Sequence, residues 1–216
     1  MRIVTGKRGF TLMELLAVIL VIAVLASLLL PAAARAKTKA QTIRCVAQLR
    51  QLGLAMALYG DDHQGLLPAA HAEVTWTNLN PPPWTRPLLS YYVTTNVLHC
   101  PAYSRLYQRS PFNYFMGGRA AFIEAGGQPA SVSLPRIAFP SQYILSGDCN
   151  SPFSPTDADP DNYTTDTLFA TNAPAHGHRV NVLFADKHVI SGRRFDPSAM
   201  TYAFTTPGMD WNDWDF

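Results

Sequence analysis

The sequence predicts an α+β fold: a long N-terminal α-helix, half membrane-embedded and half amphipathic, packed on a small antiparallel β-sheet head with long loops. Three observations carry this. An apolar run fills residues 10–34, with Glu14 as its sole charge. A segment rich in Ala, Leu, Gln, Arg and Lys follows to residue 60 and carries one apolar stripe. Beyond it the composition changes: every proline except Pro31 lies at or after Pro68, among short apolar runs of strand length. The chain has 216 residues, 48% of them hydrophobic, which allows a sizeable core and excludes a wholly disordered chain. Charged residues make up 15% against about 25% in ordinary soluble domains. The net charge of +2 gives no reason to expect nucleic acid as a partner.

Residues 1–9 carry Arg2, Lys7 and Arg8, and residues 10–34 are long enough to cross a bilayer. Basic residues on one side keep that end cytoplasmic and place the head outside. An ordinary secretory signal cut near Ala34 is an alternative, although the apolar core is longer than such signals need. Glu14 is the feature that alternative does not explain. A carboxylate inside an apolar helix costs several kcal/mol in a membrane unless it is paired.

Lys7-Arg8-Gly9-Phe10-Thr11-Leu12-Met13-Glu14, followed by an apolar helix, resembles the leader of type IV pilins and type II secretion pseudopilins. The resemblance implies a prepilin leader over residues 1–9, cleavage after Gly9 by a prepilin peptidase/N-methyltransferase, and methylation of the new N-terminus, Phe10. Removing the leader takes three positive charges and leaves the mature chain slightly acidic. Glu14 then becomes an assembly residue that faces the amino terminus of a neighbouring subunit and sets register. Pro31 becomes a point where the helix can be locally loosened. The implied partners are other pilin-like subunits, an inner-membrane assembly platform and, before assembly, membrane lipid. The implied location is the bacterial inner membrane, crossed once, with the head in the periplasm or on a filament.

In the amphipathic half, residues 35–60, the stripe is Cys45, Leu49, Leu52, Met56 and Tyr59, at spacings that return to one helix face. Gly60 is the expected stop. The run from Cys45 to Pro68 is similar to one in pseudopilin-like proteins of planctomycete and verrucomicrobial type. The stripe is expected to pack on the head, residues 61–216. The alternative is a linker to an unrelated envelope-anchored metal-binding or hydrolytic protein.

In the head, the proline run over residues 80–87 is expected as a surface excursion. Strand-length runs are Tyr91–Val93, Val97–Cys100, Tyr143–Ser146, Val180–Ala185 and His188–Ser191. The last two form a hairpin with Asp186-Lys187 at its turn, where glycine would suit position 187 better. His176, nine residues and then Asp186 resembles the prepilin-type processing-associated H-X9-DG domain over residues 176–191, with Lys187 in place of the Gly.

Asp148, His176, His178, Asp186 and His188 are candidate metal ligands, because carboxylates and imidazoles together suit a divalent cation, calcium or zinc. The preferred reading is a buried hydrogen-bond network that orients the hairpin. Asp157, Asp159 and Asp161 alternate like the start of a calcium loop, but Pro160 and Asn162 break that pattern, and a solvated acidic loop is expected. Three cysteines allow three single bridges. Cys45–Cys100 is the pair expected in an oxidising compartment, with Cys149 free, and buried thiols are the alternative. The acidic, aromatic tail, residues 209–216, either covers its own head or docks on a neighbour. No hydrolase signature or HExxH pattern is present, so the chain is not expected to be an enzyme.

Overall fold

The computed structural model describes residues 11–70, 82–92, 94–102, 113–149 and 175–209. Helix α1 runs from Leu12 to Asp62 and continues unbroken through Pro31. Proline has no N–H to donate to the carbonyl four residues back, which belongs to Ser27. Ser27 in turn bonds its own hydroxyl to the Val24 carbonyl at 2.7 Å. The chain divides into two compact units, residues 1–39 and 40–216. In the first, the described side chains of α1 are nearly all exposed, and no residue of its most apolar 18-residue stretch is buried. In the second, α1 buries Cys45, Gln48, Leu49, Leu52, Gly53, Ala55, Met56 and Gly60, so the apolar stripe packs as expected, with Tyr59 half-buried at its end.

The helix passes the expected stop at Gly60 and ends two residues later. Gly60 serves packing instead: a Cβ there would lie 2.8 Å from Leu134 Cδ1. The chain turns at Gln64 and Gly65, both with positive φ, and the Gly65 N–H donates to the Gly60 carbonyl at 2.7 Å.

Two antiparallel sheets make the rest of the core. Strand β1 (Leu66–Ala70) pairs with β3 (Ala130–Ser133), with an irregularity between Leu66 and Ala69 where Pro68 stands without an N–H. Strands β2 (Tyr114–Met116), β4 (Ile144–Asp148), β5 (Val180–Phe184) and β6 (Val189–Gly192) form the larger sheet in the order β2-β4-β5-β6. The β5–β6 hairpin is the one expected, with Val182 opposite Ile190. Every residue of β4 and β5 is buried, which hides the usual alternation. Leu183 meets α1 at Gly53, where a Cβ would come within 3.0 Å of its Cδ2. A short helix, α2 (Arg119–Glu124), follows β2.

Two 3-10 turns, Pro87–Tyr91 and Thr95–Leu98, take Tyr91 from one expected strand and Val97 and Leu98 from another, while Val93 lies outside the described residues. Pro87 pre-sets a helical φ at the start of the first. The Thr94 hydroxyl caps the second by accepting from the Asn96 N–H at 3.3 Å. The proline run is not wholly a surface excursion either. Pro83, Trp84 and Thr85 are buried, because the apolar area of the indole outweighs the polar backbone beside it. Residues 157–161, and the tail beyond Met209, lie outside the described residues.

Candidate functional site

Four segments distant in sequence meet at one end of the larger sheet. Helix α1 contributes Cys45. The chain leaving the second 3-10 turn contributes Cys100. The end of β4 contributes Asp148, and the turn before β5 contributes His176. All four side chains are buried. The two cysteine sulfurs and an imidazole nitrogen of His176 lie within 4.8 Å of one another.

Each position has a local cause. Cys45 falls on the buried stripe of α1. Cys100 is held by its N–H, which donates to Asn113 Oδ1 at 3.0 Å. Asn113 is itself buried, and its carbonyl accepts from the Cys149 N–H at 2.9 Å, tying this strand end to β4. Asp148 Oδ2 accepts from both the backbone N–H and the side-chain amide of Asn181, each at 2.8 Å. His176 has φ 55° and ψ 25°, and Gly177 and His178 also have positive φ. A left-handed backbone costs a non-glycine residue of order 1 kcal/mol, so tertiary contacts hold this turn in place.

The imidazole is held at both nitrogens. Nδ1 stands 3.0 Å from Thr42 Oγ1 of α1. Nε2 stands 3.1 Å from Cys100 Sγ and 3.5 Å from Asp148 Oδ2. Cys45 is shifted well below the usual thiol range by its hydrogen bond with Cys100, against the effect of burial, with His176 adding to the fall. Burial pushes Asp148 up to about 7, opposed by the His176 charge and the Asn181 bonds. Burial works to lower His176, but Cys45 and Asp148 outweigh it and the net shift is upward.

The expected metal set is therefore divided. Asp148 and His176 are together, but Asp186 and His188 lie beyond the far end of β5, a strand length of roughly 15 Å away. There Asp186 Oδ1 accepts from the His188 N–H at 3.1 Å and also pairs with its Nδ1, while the His188 ring stacks on Phe184 at 4.3 Å. These residues shape the turn. His178 is exposed. Cys45 and Cys100 do come together, but no disulfide joins them, and Cys149 is buried. From the sequence alone the cysteines suggest a bridge and the histidine a separate cluster with Asp148 and Asp186. The shared signal was that Cys45 faces the head on the same stripe that must meet the sheet.

At the other end of α1, Gly9 and Phe10 lie outside the described residues. Thr11 and Glu14 form a reciprocal helix cap that the sequence reading missed. The Glu14 N–H donates to Thr11 Oγ1 at 3.2 Å, and the Thr11 N–H donates back to Glu14 Oε2 at 2.9 Å. The Thr11 hydroxyl also donates to Glu14 Oε2, at 2.8 Å. The Thr-x-x-Glu spacing is the signal that could have found it.

Residues 5–30 match the family described as the prokaryotic N-terminal methylation motif. That match supports a type IV pilin-like leader and fits membrane anchoring through the N-terminal helix. No curated protein and no solved structure matches the chain.

Proposed function

We propose that the chain is a structural pilin-like subunit of a type II secretion pseudopilus or a type IV pilus, with the pseudopilus favoured because the head has little that resembles a large adhesive pilin. The observation that carries this is the methylation motif over residues 5–30 leading directly into a helix whose apolar side chains from Leu12 to Leu30 are exposed. Such a surface needs lipid or other helices around it. In this reading a prepilin peptidase cuts after Gly9 and methylates Phe10, an inner-membrane platform receives the subunit, and apolar helices bundle with the heads outside.

Glu14 takes the register role. A carboxylate in an apolar filament core is tolerated when an ammonium meets it, and removing one partner is strongly unfavourable. The intrachain cap with Thr11 holds the carboxylate near the helix N-terminus until a neighbour's amino group arrives. The test is coexpression with the peptidase, followed by mass spectrometry of the N-terminus. The expected product begins at N-methyl-Phe10, and a terminus near Ala34 would refute the reading. Gly9→Val should leave the leader attached, seen as an unshifted band. Glu14→Ala should be processed yet reach filaments at a small fraction of the normal level, and normal incorporation would remove the register role.

A further inference from the structure

We propose that Cys45, Cys100 and His176 bind a soft divalent cation, zinc, through three protein ligands, with the Asp148 carboxylate close to the imidazole. The site belongs to the head and does not depend on the pilin-like reading.

The donor set selects the ion. Two sulfurs and an imidazole suit zinc, whereas calcium takes oxygen ligands. The spacing is close to that of a tetrahedral site. Zinc–sulfur bonds of about 2.3 Å and zinc–nitrogen bonds of about 2.0 Å put neighbouring ligand atoms about 3.3–3.8 Å apart. Cys100 Sγ stands 3.1 Å from His176 Nε2, a few tenths of an ångström closer than that range. All three of the sulfur and nitrogen donors lie within 4.8 Å of one another.

Charge supports the same conclusion. Two thiols and a carboxylate share a buried site with one imidazole, and among the described residues no lysine or arginine is buried. Asp148 Oδ1 is buried with no hydrogen-bond partner, so the carboxylate has acceptor capacity that its Asn181 bonds do not use. A bound cation would neutralise the thiolates beside that carboxylate. The outer contacts are those of a metal-bound histidine. Thr42 Oγ1 is placed to accept from Nδ1–H, which would leave Nε2 as the ligating nitrogen. On binding, each thiol loses its proton to solvent as its sulfur–zinc bond forms, and no electron is transferred. The cation would join α1 to the sheet at a point where a disulfide could otherwise have done so.

The test uses the full chain, processed and held in detergent. Elemental analysis after purification without chelator should find about one zinc per chain. Cobalt added to the chelated, reduced protein should give a thiolate-to-cobalt charge-transfer band and strong visible bands of tetrahedral cobalt. Cys45→Ser and Cys100→Ser should lose the charge-transfer intensity stepwise and hold zinc at least tenfold more weakly. Cys149→Ser should keep both signals. Thr42→Val should weaken zinc binding about tenfold, as loss of a contact to a ligating imidazole does. Zinc binding undiminished in both cysteine variants would overturn the proposal. So would a wild-type chain that binds neither metal when reduced, or one whose Cys45 and Cys100 are recovered as a disulfide with no metal. Should the serine variants not accumulate, the cobalt spectrum of the wild-type chain decides alone.

Discussion

At Lys187 the backbone stands at φ 75°, in the turn between β5 and β6. A Cβ in that conformation crowds the following carbonyl, a cost of roughly 1–2 kcal/mol that glycine avoids. Glycine also gains freedom in the unfolded chain, which offsets part of the benefit. Lys187→Gly should therefore raise stability by about 0.5–1 kcal/mol. Urea unfolding would show this as a higher midpoint at unchanged slope, and a lower midpoint would mean that the lysine does more than occupy the turn. Gln48 shows the opposite case, a residue that stabilises through its bonds. Its amide donates to the Asn96 carbonyl at 2.6 Å, and its Oε1 accepts from the Tyr114 hydroxyl at 3.1 Å. Both Gln48 and Tyr114 are buried. Gln48→Ala would take an acceptor from the buried Tyr114 hydroxyl and a donor from the Asn96 carbonyl, so a loss of about 1–3 kcal/mol is expected from the same unfolding curves. The Lys187 strain was readable from the sequence, because a turn residue in glycine's place is a local signal. The role of Gln48 was not, since a polar residue on a helix reads as solvent-facing until its partners are known.

Among the elements, the contact between α1 and the larger sheet decides most. Gly53 and Gly60 stand two turns apart on α1 and let Leu183 and Leu134 approach the helix closely. Gly53→Val would push a branched side chain into Leu183, which lies fully buried in β5. Overpacking of this kind costs typically about 1–3 kcal/mol. Thermal unfolding of the variant in detergent should show a lower midpoint, and an unchanged one would show that the sheet can shift away from the helix. The long helix, its buried stripe and the β5–β6 hairpin were legible because each repeats a period over many residues. Strands β1, β2 and β3 were not. Pro68 interrupts β1, β2 is three buried residues with no alternation, and β3 is short and made mostly of small residues. Val97 and Leu98 have strand-like composition, and the Thr94 cap overrides it.

On the scale of the whole molecule, the boundary that matters falls inside a continuous helix. The compact unit begins at Ala40, while the change in composition comes after residue 60 and suggested a head of residues 61–216. By composition residues 40–62 look like a helix in their own right, and their buried face is one wall of the core. The candidate site was only half legible for the same reason. Asp148 and His176 could be grouped by the hairpin, but Cys45 joins them through packing of α1 that no local pattern encodes. Cys45, Leu49, Leu52 and Met56 are each fully buried, and a large buried apolar side chain contributes of order 1.5–3 kcal/mol. Deleting them would remove more than the total stability of many small domains. A fragment of residues 40–216 should therefore be soluble without detergent and unfold in one cooperative transition. A fragment of residues 63–216, cut just past the end of α1, should lack near-ultraviolet circular dichroism and bind hydrophobic dye. The chain from residue 10 onward should sediment with membranes and resist extraction by alkaline carbonate, because Leu12 to Leu30 expose an apolar surface that water does not accommodate. A cooperative transition in residues 63–216 would show that the sheets hold their core without α1, and the helix would then be an attachment to the head rather than part of it.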